Sequence, residues 1–245
     1  MKVLVVDKFP QPTLEKMKAL GFDVAYNTEL KGPELAAEVK RSGAQTLVVR
    51  STKVTEEMVD ASGLRLVIRA GSGYDTIDVR ACSRRGIYVS NCPGKNATAV
   101  AELAMGLILA LDRRIPDNVA ELRQKKWNKK EYSKARGLHG RTLGVIGTGQ
   151  IGRLVIERAK AFGMPVVAWS RSLTPEKARE LGVERKATPE EVAAADAISV
   201  HVALKPETKG LCGEKFFAAL RPGAYFINTS RGEVVDEAAL AKAVK

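Results

Sequence analysis

Short runs of β-branched and aliphatic residues alternate along this chain with longer stretches in which apolar residues recur every three or four positions. The short runs predict strands and the longer stretches predict amphipathic helices. Strand followed by helix from end to end is typical of parallel βαβ construction. The predicted strands are residues 3–6, 23–26, 46–49, 65–68 and 87–90, then 142–146, 166–169, 197–201 and 224–228.

Capping residues set the bounds of several predicted helices. Gly21 ends a helix over residues 13–20, and Gly163 closes one over 150–162. Thr55 is expected to cap a helix over 55–61, and Thr188 and Glu191 have the spacing of a capping box for 188–195. The other predicted helices are an apolar one at 97–111, a basic one at 115–127 and a proline-started one at 174–181.

The pattern predicts an α/β protein of two domains, each a Rossmann-like parallel sheet, with a cleft between them. A boundary near Ala97 divides the chain into 1–96 and 97–245. The length of 245 residues and the hydrophobic share of 45% suit two cores. No short repeat or low-complexity segment interrupts either half.

Composition narrows the setting to a soluble cytoplasmic protein. The first strand starts too early and too close to charge for a signal peptide, and the apolar stretch 97–111 is too short to cross a bilayer. Three cysteines, an odd count without metal-ligand spacing, indicate free thiols in a reducing compartment. We therefore expect no structural metal and no membrane association.

The net charge of +12 raises the question of a nucleic-acid partner. Lysines and arginines are spread along the whole chain, with one local cluster at residues 123–134, and they are not interleaved with stacking aromatics. The charge is better explained by anionic small molecules, and we expect no nucleic-acid binding.

A glycine-rich turn carries the main functional prediction. Gly147, Gly149 and Gly152 follow an apolar strand and open an amphipathic helix, whose first turn includes Gln150 and Ile151. In this context the first glycine allows a tight turn, the second lets the backbone approach a pyrophosphate, and the third lets helix pack on strand. The free amides at the helix start then face the phosphates. The turn predicts a nicotinamide dinucleotide site.

The end of the next strand bears on which dinucleotide binds. An acid about 20 residues after the glycines accepts hydrogen bonds from the free ribose of NAD. Here Ser170 and Arg171 stand in that region, and an arginine beside hydroxyls suits a 2′-phosphate. The cofactor is therefore NAD(P)(H) with a lean to NADP(H), and NAD(H) stays open because Arg171 also suits adenine stacking or solvent.

Several motifs in order, over the whole chain, resemble the D-2-hydroxyacid dehydrogenases, most closely their phosphoglycerate dehydrogenase branch. They are VRSTKVT (49–55), RAGSGYDTID (69–78), the helix around Glu102, the glycine turn, HVALKPETKGL (201–211) and INTSRGEVVDE (227–237). The resemblance makes residues 1–96 a flavodoxin-like substrate-binding domain and 97–245 a dinucleotide-binding Rossmann domain.

The resemblance implies roles for individual residues. Arg231 matches the catalytic arginine that grips the carboxylate and carbonyl oxygen of a 2-oxo acid, for which its charged fork is suited. Ser72 and Gly73 match the cradle of the substrate carboxylate, and Arg50, followed by Ser51, matches the arginine facing the far end of the substrate. Arg50 also suits a plain ion pair. Positions matching the nicotinamide end of the cofactor site are His201, Val202, Thr208, Thr229 and Ser230.

The family's proton donor is not found in this chain. In the family a later glutamate raises the pKa of a histidine in a Pro-His segment, and that histidine delivers the proton. His201 matches a cofactor-side position instead, and His139 falls on a solvated linker. We expect a truncated second domain ending at Lys245, with an unpaired sheet edge and weak or absent turnover that the full reading frame restores.

The sequence therefore predicts an oxidoreductase moving a hydride between a nicotinamide cofactor and a small D-2-hydroxy acid. The first candidate substrate is 3-phosphoglycerate, and glyoxylate or hydroxypyruvate reduction is the enzymatic alternative. A non-catalytic dinucleotide-sensing protein on the same scaffold is the alternative from another class. The family is commonly dimeric through the cofactor domain, so we expect a homodimer to which the apolar helix 97–111 contributes.

Overall fold

Two parallel five-stranded sheets organise the computed structural model, which describes residues 1–60 and 62–244. The chain divides into two units, Met1–Asn96 and Ala97–Lys245, each with one sheet. The α/β fold class and the parallel sheets predicted from the hydrophobic pattern are confirmed.

The first unit has the strand order β2-β1-β3-β4-β5, which is that of flavodoxin-like folds. Its strands are β1 (Lys2–Val5), β2 (Asp23–Tyr26), β3 (Thr46–Val49), β4 (Leu66–Arg69) and β5 (Tyr88–Ser90). Its helices are α1 (Gln11–Ala19), α2 (Gly32–Ser42), α3 (Glu56–Val59) and α4 (Val79–Arg84).

The helices of the second unit are α5 (Ala97–Arg113), α6 (Ile115–Arg123), α7 (Lys129–Tyr132), α8 (Gln150–Ala161), α9 (Pro175–Leu181), α10 (Pro189–Ala193), α11 (Glu214–Ala218) and α12 (Glu237–Ala243). Its strands are β6 (Leu143–Ile146), β7 (Val166–Trp169), β8 (Glu184–Arg185), β9 (Ala197–Val200) and β10 (Tyr225–Asn228). The order β10-β9-β6-β7-β8 is the Rossmann arrangement, with β6 first in sequence and central in space.

Helices on both faces of a sheet require central strands that are apolar on both sides. Every residue of β3, β6 and β9 is buried, and their neighbours across the sheet are in register, for example Val145 with Ser199 and Ala168. The rigid centre of each sheet therefore fixes where the loops at its carboxyl edge begin.

The caps agree only in part with the sequence prediction. Thr188 Oγ1 accepts from the Glu191 amide at 3.3 Å, as a capping box requires. The Glu191 carboxylate, however, accepts from the amide of Ala187 at 3.0 Å and not from that of Thr188, so this half of the box is displaced by one residue. Thr55 does precede α3, but its side chain makes no capping hydrogen bond, and the expected cap was wrong. The predicted end of that helix, Ala61, lies outside the described residues.

Two elements differ from the prediction for local reasons. The basic helix expected over 115–127 ends at Arg123 because Lys125 adopts a φ of 60°, and a separate turn of helix, α7, follows. The edge strand β8 was not predicted, since it has only two residues and both are charged and exposed.

A buried polar network joins α5 to the amino edge of the second sheet. The Asp112 carboxylate accepts from Arg141 Nη1 and the Gly137 amide, each at 3.0 Å, and from the Tyr225 hydroxyl at 3.3 Å. The Asp112 side chain is fully buried and that of Arg141 is 9% exposed. The Arg141 guanidinium also lies 4.6 Å from the centre of the Tyr225 ring. This network holds the starts of β6 and β10 against one helix.

Candidate functional site

The glycine turn between β6 and α8 has the geometry that its sequence predicts. Gly147 has a φ of 98°, and a Cβ there would lie 2.6 Å from the His201 carbonyl oxygen. A Cβ on Gly152 would lie 1.9 Å from the Gly147 carbonyl oxygen, so helix and turn touch there. A Cβ on Gly149 would meet nothing within 4 Å. Two glycines are thus required by the fold, and the middle one leaves open space.

That open space belongs to a cavity of about 490 Å³ at the carboxyl ends of β6, β7 and β9. Strands β7 and β8 are added on one side of β6, and β9 and β10 are added on the other side, so the strand order reverses between β6 and β9. Open α/β sheets bind ligands at such a reversal of strand order. The cavity is lined by Gly147, Thr148, Gly149, Trp169, Ser170, Arg171, Ser172, His201, Val202, Ala203 and Thr208.

Seven of the residues predicted to bind cofactor line this cavity, namely Gly147, Gly149, Ser170, Arg171, His201, Val202 and Thr208. The other predicted residues are not part of its lining. Gln150, Ile151 and Gly152 form the first turn of α8, and Thr229 and Ser230 follow β10. The lining residues that the sequence did not single out are Thr148, Trp169, Ser172 and Ala203, each adjacent to one that it did.

The loop after β7 forms one rim of the cavity. Ser170 and Ser172 face each other with their hydroxyl oxygens 3.4 Å apart, and Trp169 Nε1 donates to the Ala187 carbonyl at 3.0 Å. Between the serines, the exposed guanidinium of Arg171 forms an ion pair with the Glu207 carboxylate. The sequence drew attention to Arg171 but not to this partner, which is 36 residues away.

His201 is held neutral in the cavity wall. Its Nε2 lies 2.8 Å from the buried Ser199 hydroxyl and its Nδ1 lies 3.4 Å from the Thr229 hydroxyl. Burial lowers the pKa of His201 from 6.5 to about 4, so the imidazole carries no charge at neutral pH. A proton donor acting near pH 7 would need a higher pKa. The exposed His139 lies at the other edge of the sheet, before β6.

Arg231 lies in a loop that Asn228 organises. The Asn228 side-chain oxygen accepts from the amide and hydroxyl of Ser230 at 2.9 and 2.6 Å, and its nitrogen donates to the Arg231 carbonyl at 2.8 Å. Nη1 of Arg231 donates to the Ser230 carbonyl at 3.0 Å. The half-buried guanidinium is therefore attached to a fixed loop at the carboxyl end of β10.

In the first unit, Asp7 fixes the loop that carries Arg50 and Ser51. Its carboxylate accepts from the amides of Arg50, Ser51 and Thr52 at 2.6, 3.1 and 3.1 Å and from the Ser51 hydroxyl at 3.0 Å. Burial alone would raise the pKa of Asp7, but these four donors outweigh it, and the pKa is lowered. Asp7 stays ionised at neutral pH and joins the ends of β1 and β3.

A cavity of about 770 Å³ opens beside that loop, lined by Lys8, Lys31, Arg50 and Lys53 against the acids Asp7 and Glu29. It lies at the carboxyl ends of β1 and β3, between which the strand order of the first sheet also reverses. Since Asp7 is engaged by four donors, the lining favours an anionic ligand. Ser72 and Gly73 lie in the next turn of the sheet, after β4, where the Ser72 carbonyl accepts from the Asn91 side chain at 2.6 Å.

Among the described residues, no group of three or more histidine, cysteine, aspartate or glutamate side chains is placed to hold a metal ion. No helix in the described part of the chain is long and apolar enough to cross a bilayer. Cys82 and Cys212 are buried free thiols, and burial raises the pKa of Cys212 to about 12.

The second unit therefore suits a dinucleotide on its own geometry. Gly149 leaves the backbone of the turn accessible, and the free amides at the start of α8 suit a phosphate. Ser170, Arg171 and Ser172 line the part of the cavity after β7, where the adenine ribose of a dinucleotide would bind. When bound, a nicotinamide cofactor would supply the hydride acceptor or donor. The residues that would hold it are the glycine turn, Ser170, Arg171 and the loop around Thr208.

Comparison with known proteins points the same way. Residues 105–245 match the family model described as D-isomer specific 2-hydroxyacid dehydrogenase, NAD binding domain. The chain is 40% identical over its full length to D-3-phosphoglycerate dehydrogenase of Methanocaldococcus jannaschii and covers 47% of that protein. The chain thus spans about half the length of the curated relatives it matches.

Two solved structures differ in the cofactor they contain. An acyclic imino acid reductase, Bsp5, in complex with NADPH and D-Arg is 30% identical, with a TM-score of 0.86 over 99% of this chain and 78% of that one. D-lactate dehydrogenase from Aquifex aeolicus, complexed with NAD and lactic acid, is also 30% identical, with a TM-score of 0.86 over 100% of this chain and 73% of that one.

Proposed function

The chain belongs to the D-isomer specific 2-hydroxyacid dehydrogenase family, and from this premise we propose that it serves hydride transfer between a nicotinamide cofactor and a small D-2-hydroxy acid. The observation that carries the proposal is the open turn at Gly149 within the cavity of the second unit. We assign cofactor binding to residues 97–245 and substrate binding to residues 1–96.

A matched pair of glycine substitutions tests the cofactor site. Gly149→Ala places its Cβ in open space and its φ of −73° suits alanine, so the free energy of unfolding should stay within about 0.5 kcal/mol of wild type. Cofactor affinity should fall at least about tenfold, because the methyl group fills the space a pyrophosphate needs. Quenching of tryptophan fluorescence by NADH and NADPH measures the Kd, since Trp169 lines the cavity.

Gly152→Ala is the control for the fold. Its Cβ would lie 1.9 Å from a backbone oxygen, so this variant should lose stability even without ligand. If Gly149→Ala bound both cofactors as tightly as wild type, the turn would not be the pyrophosphate site and the proposal would fail.

We propose NADP(H) as the preferred cofactor. The supporting residues are Ser170, Arg171 and Ser172, two hydroxyls flanking a permanently charged guanidinium at the cavity rim. Solved relatives hold either cofactor, so the preference depends on this rim. Tighter binding of NADH than of NADPH by the wild-type chain would overturn it.

For the substrate, we propose a 2-oxo or 2-hydroxy acid with a second anion, 3-phosphoglycerate first. Arg231, on its fixed loop, would bind the carboxylate and stabilise charge on the carbonyl oxygen, while Ser72 and Gly73 would donate backbone hydrogen bonds. Arg50 and Ser51 would take the distal anion, which the excess of cationic side chains around their cavity favours. No residue of this chain matches the family's proton-donating histidine. The experiment that tests the substrate therefore measures binding and not turnover.

Calorimetric titration in the presence of cofactor separates the candidate substrates. Tighter binding of 3-phosphoglycerate than of hydroxypyruvate or glyoxylate, lost in Arg50→Gln, would support the assignment. Equal affinity for all three, unchanged in Arg50→Gln, would favour the glyoxylate or hydroxypyruvate reductase instead. Arg41→Gln is the charge-matched control, because the exposed Arg41 side chain pairs with Glu38 on the same helix.

We also propose that the chain forms a homodimer through α5 and α6. The buried face of α5 packs on α8, yet its other face is apolar too. Large side chains between 40% and 56% exposed recur at every third or fourth position of the two helices: Leu103, Leu107, Leu111, Ile115, Val119 and Leu122. A helix that is apolar all round is normally covered on both faces, and a second copy would cover this one.

A further inference from the structure

Two loops on either side of the cofactor cavity are joined by one ion pair. Arg171 belongs to the loop after β7, and Glu207 belongs to a 3₁₀ turn, Pro206–Thr208, after β9. The side chains are 53% and 47% exposed, so solvent and ligands reach both. The guanidinium expected to meet a 2′-phosphate therefore already has a carboxylate bound to it.

Glu207 is held at the rim by the residue that follows it. The Thr208 hydroxyl donates to the Ala203 carbonyl at 2.7 Å and accepts from the Lys205 amide at 2.8 Å, and Thr208 is buried in the cavity wall. The turn cannot withdraw without breaking these bonds. The pKa of Glu207 is lowered by its own backbone amide and by Arg171, so the carboxylate is charged at neutral pH.

We propose, on the basis of the NADP(H) preference argued above, that Glu207 sets cofactor selectivity by competing with the 2′-phosphate for Arg171. A 2′-phosphate must displace the carboxylate or share the guanidinium with it, and it then lies near a second negative charge. NAD(H) has a free 2′-hydroxyl and leaves the ion pair intact. Glu207 therefore weakens NADP(H) binding relative to NAD(H), and it is a positioning residue acting through Arg171.

The magnitude follows from the exposure of the pair. Exposed ion pairs contribute about 0.2–1 kcal/mol, which corresponds to about a 1.4- to fivefold change in a binding constant. Glu207→Gln should therefore tighten NADP(H) binding by about 1.4- to fivefold at low salt and change NAD(H) binding by less than that. The gain should shrink as salt screens the competing charge.

The test uses ligands that differ only by the 2′-phosphate. Dissociation constants of 2′,5′-ADP and 5′-AMP, and of NADPH and NADH, are measured by tryptophan fluorescence for wild type, Glu207→Gln, Arg171→Ala and the double variant. Glu214→Gln is the matched control, because Glu214 forms an exposed ion pair with Lys242 on other helices. Thermal melting verifies that each variant is folded.

The proposal expects Glu207→Gln to tighten 2′,5′-ADP and NADPH more than 5′-AMP and NADH, and expects this difference to vanish in the Arg171→Ala background. A structural role for Glu207 would move all four ligands together, and that result would overturn the proposal. It would also be overturned if Glu207→Gln left the ratio of 2′,5′-ADP to 5′-AMP affinity at the wild-type value. The premise has its own readout: tighter binding of NADH than of NADPH by the wild-type chain refutes the NADP(H) preference, whereas an unchanged NADPH affinity in Arg171→Ala shows that Arg171 does not hold the 2′-phosphate and overturns the role of Glu207.

Discussion

Replacing Asp112 by asparagine should destabilise the second unit far more than any surface charge substitution. The change keeps the shape of the side chain but leaves the Arg141 guanidinium, 9% exposed, without its charged partner. It also disturbs the acceptors used by the Gly137 amide and the Tyr225 hydroxyl. Breaking a buried ion pair from one side costs about 3–5 kcal/mol, which should lower the melting temperature on the order of 10 °C.

The assay can be confined to the second unit. The chain has two tryptophans, Trp127 and Trp169, and both belong to that unit, so urea unfolding followed by tryptophan fluorescence reports on it alone. The network lies at the amino edge of the sheet and the cofactor cavity at the carboxyl edge. Under native conditions, Asp112→Asn should therefore keep a cofactor Kd within about twofold of wild type.

Two further variants decide whether the cost comes from the buried charge. Asp117→Asn removes one partner of an exposed pair with Arg114, whose side chains are 58% and 45% exposed, and should cost less than about 1 kcal/mol. Arg141→Met combined with Asp112→Asn removes both charges and should cost less than the sum of the single changes. A cost for Asp112→Asn no larger than for Asp117→Asn would refute the reasoning.

The remaining predictions concern acid stability and assembly. Because the pKa of His201 is about 4 in the folded chain and 6.5 when unfolded, the unfolded chain binds the extra proton between these values. Stability is therefore lost as the pH falls from 6.5 to 4, by on the order of 3 kcal/mol, and urea titrations of His201→Asn should lack this slope while exposed His139→Asn keeps it. Leu107→Glu should convert the proposed dimer to monomer in sedimentation equilibrium without changing the cofactor Kd; a monomeric wild type would dismiss that interface.

Features that depend on neighbours in sequence could be predicted from the sequence. The central strands are continuous apolar runs, and the roles of Gly147, Gly149 and Gly152 follow from their spacing after such a run. The functional assignments of Arg50 and Arg231 came only from resemblance and stay predictions. Local signals failed where a cap or a short edge strand depends on exact side-chain geometry, as at Thr55 and β8.

The partners that position the candidate site could not be predicted, because each joins distant parts of the chain. Asp7 binds a loop 43 to 45 residues away, and Asp112 binds Arg141 across 29 residues. Glu207 reaches Arg171 across 36 residues. In one sequence, each of these acids is indistinguishable from an ordinary surface carboxylate. Only the order of the strands brings the two ends of each pair together.

Strand order also predicts that ligand affinity and stability can be altered separately in this chain. In both sheets the strand order reverses beside the first strand. At that point the loops that leave the carboxyl ends of two neighbouring strands diverge, and a cavity lies there. The first residues after those ends line the cavities, such as Gly147 in one unit and Arg50 in the other. The amino ends of the second sheet meet α5 instead and are closed by the Asp112 network. Substitutions at one edge should therefore alter affinity, and substitutions at the other should alter the free energy of unfolding.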